Sequence, residues 1–531
     1  MGQKLLFAFH GKETLSPEII EAFKKYRPSG ISLFRSLNIG TLAQVQALTD
    51  SLQRLARDLG MPRLLIATDQ EGGQLMAIGD GTPLPGNMAL GATRSLELAR
   101  KAGEVLGREL SALGINVNYA PCADVNINPQ NPVVGVRSFG EDPRLVSELT
   151  VAMIEGIQSQ GVAATVKHFP GHGDTASDSH HGLGTVPHTL DRLRAVELPP
   201  FIAALKANAK LVMTAHLGIT SIDGPDAPPA TLSPNIINGL LRRDLGFDGV
   251  VITDAMDMHA IRQGEALREE SLRAAKAGAD LLLVTSDPQD QIRAFEGLMH
   301  GIQTGQLTRD ELQVSVARIS RLKKWLSDHS TSQDLSVIRS AEHMQIANEI
   351  AEKSITLVRD HQKYLPLKLE ADQRIAVIVP FPRDLTPADT SSYVQPKLAE
   401  SIRAYHARVD EFVIPYSPGA EVASSVLARV GEYDAIVAGT INAYAEENQA
   451  NFVREILKMG KPAIIVAMRL PYDLTCFPHA PTFICTYSIL EPSMRAVAKA
   501  LFGLGEMKGR LPVSIPGLNE AGHFIQKSLA S

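Results

Sequence analysis

Short apolar runs alternate with longer amphipathic stretches through the first ~330 residues. The runs cover residues 5–9, 30–34, 64–69, 114–120, 163–168, 211–216, 249–254 and 280–285. Between them lie stretches such as 42–59, 96–113 and 145–158, whose apolar positions recur at helical spacing. Alternation of this kind predicts parallel strands joined by helical crossovers, and eight units predict a (β/α)8 barrel. The polar residues add weight. Asp69, His168, His216 and Asp254 each close an apolar run. In a barrel, that end of the strands carries the loops that build an active site.

Past residue 330 the pattern changes. A polar stretch at 330–336 reads as a linker, and 341–358 reads as a helix. New apolar runs follow at 375–379, 412–414, 435–439, 463–467 and 482–487, separated by helical stretches. The expected layout is an α/β barrel over residues 1–330, a linker with a connecting helix over 331–350, and a smaller αβα open-sheet sandwich over 351–531.

Composition narrows the class. A chain of 531 residues is too long for one ordinary core. Hydrophobic content of 44% with 21% charged residues is that of a soluble globular protein. The net charge of −6, with no basic tract, argues against a nucleic-acid partner. Cys122, Cys476 and Cys485 are odd in number and far apart, which is neither a disulfide framework nor a CxxC metal site. The first apolar run is short and is followed at once by His10 and Lys12, unlike a signal peptide. No apolar stretch nears the ~20 residues of a membrane span. These features point to a cytoplasmic protein with no membrane partner.

The densest chemistry lies between Lys167 and His181, in the order Lys-His-Phe-Pro-Gly-His-Gly-Asp-Thr-Ala-Ser-Asp-Ser-His-His. Ionisable groups this crowded would be costly to bury unpaired, so the stretch reads as a loop rather than core. His168 and His172 have zinc-ligand spacing only if helical, and Pro170, Gly171 and Gly173 break a helix there. A scattering of solvated histidines is the plainer alternative. Asp178 and His180 suggest more. A carboxylate two residues from an imidazole can orient the ring, favour its charged form and make a proton donor and acceptor that works near neutrality. His181 can fill the same role. Gly171, Gly173 and Gly182 favour mobility around the pair.

Three other segments carry chemistry. Asp254 ends the almost wholly apolar Gly-Val-Val-Ile-Thr-Asp run and would face the barrel mouth as a nucleophile on a sugar carbon, a metal ligand, or a helix N-cap. Asp257 is a rival carboxylate further on. Asp69 and Glu71, in Asp-Gln-Glu-Gly-Gly, are placed to grip vicinal hydroxyls or to cap a turn. Arg137, in Arg-Ser-Phe-Gly-Glu-Asp, is a fork of donors. Its alternative is a surface ion pair with Glu141 or Asp142.

Together these segments resemble glycoside hydrolase family 3, in its two-domain β-N-acetylglucosaminidase branch. Lys167 to Gly173 resembles that family's sugar-binding loop, Asp178-Ser179-His180 its Asp–His dyad, and Thr253-Asp254-Ala255-Met256 its nucleophile motif. Asp69 to Gly73 and Arg137 to Gly140 resemble substrate-binding motifs. Ser354 to Val358 with Leu365-Pro366-Leu367, Arg469 to Asp473 and Gly509 to Val513 resemble landmarks of the second domain, so nearly the whole chain is covered. One departure is Gln74, where the family usually has arginine. It implies altered contacts to the sugar or leaving group.

The resemblance implies a retaining hydrolase without a cofactor or metal. Asp254 would form a covalent glycosyl intermediate, His180 steered by Asp178 would be the acid/base, and Asp69, Arg137, Lys167 and His168 would hold the sugar. Lys167 and His168 would help keep Asp254 ionised. The implied substrate is a terminal β-linked N-acetylglucosamine, as in recycled cell-wall fragments. Alternatives are a phosphorylase, with phosphate replacing water as acceptor, and a β-glucosidase. In other branches the second domain supplies the catalytic acid; here its expected part is to cover the cleft, stabilise the barrel or aid assembly.

Overall fold

A computed structural model describes residues 1–13, 15–175, 182–331, 333–387 and 389–527. Eight strands build the first domain: β1 (Leu5–Phe7), β2 (Gly30–Leu33), β3 (Leu65–Thr68), β4 (Val117–Asn118), β5 (Ala163–Phe169), β6 (Leu211–Thr214), β7 (Val250–Thr253) and β8 (Leu282–Val284). All pair in parallel and in chain order, with β8 beside β1. The ring closes between β7 and β8. There Thr253 N donates to Leu281 O at 3.0 Å and Met256 N to Leu283 O at 2.9 Å. The fold is the expected α/β barrel.

Every strand is buried on both faces, so its sequence is nearly continuous in apolar residues. Alternate residues still go opposite ways. Leu6, Leu65, Ala67, Leu211, Met213, Val250 and Ile252 form a central cluster with Ile319, Leu322 and Leu326 of helix Arg309–Asp328. That helix plugs the N-terminal end. Phe7, Ile66, Val166, Val212 and Val251 point the other way, to the outer helices. Helices Leu96–Ala112 and Pro143–Ser159 follow the amphipathic stretches closely. They cross at Gly103 and Gly156, where a Cβ would lie 2.4 Å from Met153 O and 2.1 Å from Arg100 O respectively.

The second domain is a six-stranded sheet: β9 (Thr356–Asp360), β10 (Ile375–Pro380), β11 (Val409–Ile414), β12 (Ala435–Thr440), β13 (Ala463–Ala467) and β14 (Thr482–Cys485). Their spatial order is β9-β14-β13-β12-β10-β11, with only β9 antiparallel. Apolar clusters cover both faces. Strand β9 departs from the helix expected over 341–358. The helix Ala341–Ser354 ends at Ser354. The β-branched Thr356 and Val358 then fit a strand beside β14 better than a helical turn.

Helix Asn87–Thr93 ties the turn that carries Arg137 to the barrel. Asn87 Nδ2 donates to Arg137 O at 2.6 Å. A Cβ placed on Gly91 would lie 1.7 Å from Phe139 O. Gly91→Ala must therefore displace this turn. The expected outcome is a loss of about 1–3 kcal/mol in denaturant unfolding, with activity falling as Arg137 shifts.

Candidate active site

At the C-terminal end of the barrel lies a cavity of about 600 Å³. Strand parity explains much of its lining. Asp69 continues the inward set of Leu65 and Ala67, Asp254 that of Val250 and Ile252, and Lys167 that of Ala163. His168 has the outward parity of Ala164 and Val166, yet it lines the cavity. The pairing of β5 with β6 shifts register between Val166 and Phe169, and such an irregularity re-aims side chains. His216 has outward parity and stays out. Its ring lies 2.8 Å from Thr231 Oγ1, and its Nε2 donates to Ala255 O at 2.9 Å. It braces the turn after Asp254 instead of lining the site.

The deep end is a network of paired charges. Arg137 grips Glu71 with two bonds, Nε to Oε2 at 3.0 Å and Nη2 to Oε1 at 2.8 Å. Lys167 Nζ lies 2.7 Å from Glu71 Oε1 and 2.5 Å from Asp69 Oδ1. Burial would raise the Glu71 carboxyl, but Arg137 and Lys167 outweigh it and bring the pKa down to about 2. Burial also opposes charge on Arg137 and Lys167; Glu71 for the first, Asp69 and Glu71 for the second, raise both cations overall. Glu71 therefore orders the two cations and does not grip hydroxyls, while Asp69 retains partial exposure, 24% of its side chain. Arg137 pairs inward, and Glu141 instead accepts from Ser514 of the second domain.

Asp124 anchors the second half of the site. Its Oδ2 lies 2.7 Å from His168 Nδ1, and its Oδ1 accepts from the backbone of His172 at 2.7 Å and of His168 at 3.2 Å. Burial would raise this carboxyl; the histidines outweigh it and hold it well below the usual range. His172 is buried and, with His168 beside it, falls to about 4, so its ring is neutral at physiological pH. The start of the Lys167–His181 stretch is thus interior, contrary to the solvated loop expected, because each buried charge has a partner. Asp124 was missed in the sequence. Its signal was a lone carboxylate in the apolar stretch just past β4.

Other expectations resolve in the same way. Asp254 Oδ1 accepts from Ala255 N at 2.8 Å, and no helix starts there; the next α-helix begins at Leu267, after a 3-10 turn at Gly264–Ala266. It lines the cavity and is not an N-cap. Asp257 also lines it, bonded by Thr285 Oγ1 at 2.6 Å. The ion pairs of Lys167 and His168 run to Asp69, Glu71 and Asp124, not to Asp254. Among the described residues, the clusters with metal-ligand proximity are Cys122–Asp124–His168 and Asp174–His188–Glu197, and neither unites His168 with His172. Arg192 already pairs with Glu197 at 2.7 Å, putting a cation in the second cluster. Asp178, His180 and His181 lie outside the described residues.

The second domain closes one side. Asp384, Asp389, Thr390 and Tyr393 line the cavity. Tyr393 is 57% exposed, with the Arg35 guanidinium 4.1 Å from its ring centre. Gln74, expected to alter contacts to the sugar or leaving group, faces this domain and is not among the residues lining the cavity. Its carbonyl accepts from Thr390 N at 3.0 Å, and its amide oxygen accepts from Arg469.

Comparison with known proteins agrees with this architecture. Residues 6–322 match the glycosyl hydrolase family 3 N terminal domain, and residues 355–527 match the family 3 C-terminal domain. The chain belongs to glycosyl hydrolase family 3. It is 32% identical to beta-hexosaminidase A of Pseudoalteromonas piscicida, over 94% of this chain and 92% of that protein. It is 29% identical to a beta-N-acetylglucosaminidase/beta-glucosidase of Cellulomonas fimi, over 91% and 89%. The solved family 3 beta-N-acetylglucosaminidase of Paenibacillus sp. str. FPU-7 superposes with a TM-score of 0.91 at 36% identity, covering 96% of this chain and 97% of that one.

Glu71→Gln removes the carboxylate that both cations share. Glu71's pKa falls from 4.5 to about 2 on folding, so its contribution is fully present above pH 4.5 and is lost as pH falls toward 2. The shift corresponds to about 3 kcal/mol. The variant is expected to lose roughly 3–5 kcal/mol at neutral pH and to show a flatter acid limb in stability against pH. An unchanged acid limb would remove Glu71 from its assigned role.

Proposed function

We propose that the protein is a retaining, exo-acting β-N-acetylglucosaminidase that releases terminal non-reducing β-linked N-acetylglucosamine. The observation that carries this reading is Asp254, which continues the inward side of β7 on the wall of a cavity that Asp69, Arg137 and Lys167 also line, with Glu71 buried behind the two cations. Asp254 attacks the anomeric carbon, the glycosidic bond breaks, and His180 gives its proton to the leaving oxygen. In the second step His180 takes a proton from water, the water oxygen bonds to C1, and Asp254 departs as carboxylate. Asp178 orients the His180 ring. Both enter from the sequence resemblance. A histidine acid/base replaces the second carboxylate of most retaining enzymes, so their carboxylate spacing does not apply.

Asp69, Arg137, Lys167 and His168 hold the hydroxyls, since all four line the cavity and bear donors or acceptors. The names of the hexosaminidase relatives support the acetamido sugar, with cell-wall fragments in the cytoplasm as the natural source. No helix among the described residues is long and apolar enough to cross a membrane.

The decisive assay compares aryl N-acetyl-β-glucosaminide with aryl β-glucoside, each with and without phosphate. The acetamido substrate is expected to be hydrolysed faster, with free sugar as product. A sugar 1-phosphate would replace this reading with a phosphorylase, and preference for the glucoside with a β-glucosidase. His180→Ala should lose roughly 10²–10⁴-fold on unactivated glycosides and recover partly with good aryl leaving groups. Asp254→Ala should lose activity by orders of magnitude on both. Recovery in Asp254→Ala instead would reverse the two roles.

A further inference from the structure

The rim of the catalytic cavity carries an aromatic face open to solvent. Tyr393 is 57% exposed, and the Arg35 guanidinium lies over its ring at 4.1 Å. Both residues line the cavity, Arg35 from the segment after β2 and Tyr393 from the segment after β10. A single exposed aromatic residue is ordinary on a protein surface. This one differs in how firmly it is held.

Tyr393 ends the short turn Ser391–Tyr393. Asp389 accepts from Ser391 N at 2.8 Å and from its hydroxyl at 2.6 Å, and Asp384 accepts from Ser392 N at 2.8 Å and from its hydroxyl at 2.6 Å. Thr390, just before the turn, is clasped by the barrel. Its N and Oγ1 donate to Gln74 O at 3.0 and 2.9 Å, and its Oγ1 accepts from Met76 N at 3.1 Å. Arg35 Nη1 donates to the carbonyl of the same Met76 at 3.2 Å. Ring and cation come from different domains, yet both are fastened to one stretch of barrel backbone. Arg469 tightens the clasp by donating to the Gln74 side chain and to Asp389. A cation over one face holds the ring, and the exposed area leaves the other face available. A recognition surface held rigid beforehand loses less entropy on binding.

An exo-acting glycosidase takes the non-reducing sugar innermost, so the leaving unit points outward, toward this rim. Pyranose rings present flat faces of C–H bonds, which suit the negative face of an aromatic ring. We propose, resting on the glycosidase reading above, that Tyr393 carries the leaving unit: a second pyranose ring, bonded through the oxygen that departs from C1, stacks on its open face while the first sugar meets Asp254. Gln74 and Arg469 are positioning residues for that contact.

The full chain and three variants are assayed on N,N′-diacetylchitobiose and on N-acetyl-β-glucosaminyl fluoride, whose leaving atom bears no ring. The readout is the ratio of kcat/KM, disaccharide over fluoride. It cancels any loss common to both substrates and counts only steps through bond cleavage, whichever acceptor follows. Tyr393→Ala is expected to lower the ratio roughly 3–10-fold, and Tyr393→Phe to keep it. Gln74→Arg, which sets a second guanidinium against Arg469, is expected to lower it in the same direction through the clasp. A ratio that Tyr393→Ala leaves unchanged, or that Tyr393→Phe lowers as much, overturns the proposal; one that Gln74→Arg leaves unchanged removes Gln74 from it. If the unmodified protein cleaves only glucosides, the acetamido assignment falls, and cellobiose with β-glucosyl fluoride reads the same ratio for Tyr393. Turnover of none of the four substrates overturns both readings.

Discussion

The site depends on one constraint: charges taken out of water at the end of a barrel must be paired there. Arg137 and Lys167 are held by Glu71, and Lys167 also by Asp69. Each alone would be costly to bury, and together their attraction offsets the loss of hydration. This fixes the surrounding backbone. Arg137 needs its turn seated on helix Asn87–Thr93, where Gly91 leaves room for the Phe139 carbonyl. Lys167 needs the inward parity of β5. Asp124 repeats the principle for His168 and the backbone of His172. Two buried carboxylates of the barrel, Glu71 and Asp124, do the positioning and leave Asp254 and Asp69 on the cavity wall.

The second domain extends this arrangement. It contributes Asp389, Thr390 and Tyr393 to the cavity, and Thr390 is fastened to the barrel through the Gln74 carbonyl. Glu141 receives two bonds from Ser514, and Asn126 donates to the Tyr472 hydroxyl at 3.1 Å. The cover is thus held by bonds distributed along the barrel's open end. Arg469 stands where these contacts meet, which explains how a side chain far along the chain bears on a loop near residue 74.

Much of this was legible in the sequence, for identifiable reasons. All eight barrel strands were readable because a parallel strand buried on both faces is a continuous apolar run. Asp69, His168 and Asp254 were findable as polar residues at the ends of such runs, and Lys167 from the resemblance. Strand parity, applied to the same letters, would also have separated His216 from Asp254. It would not have found His168, whose direction depends on an irregular pairing between β5 and β6. Glu71 was visible, but its role was not, since nothing local says that residues 71, 137 and 167 meet. Gln74 misled because its partner, Arg469, lies in the other domain. Strand β9 was absorbed into a helix because residues 355–358 follow it without a break in hydrophobicity.

The cavity is also unequal along its depth. Its floor is a closed lattice of charges whose geometry leaves little freedom. Its rim carries the half-exposed Tyr393 ring resting on Arg35. A flat aromatic face accepts many shapes, whereas fixed charges accept few. A guest would therefore be scrutinised strictly at its buried end and tolerantly at its outer end; on the proposed reading, one molecule would be choosy about what it cleaves off and permissive about what it cleaves it from.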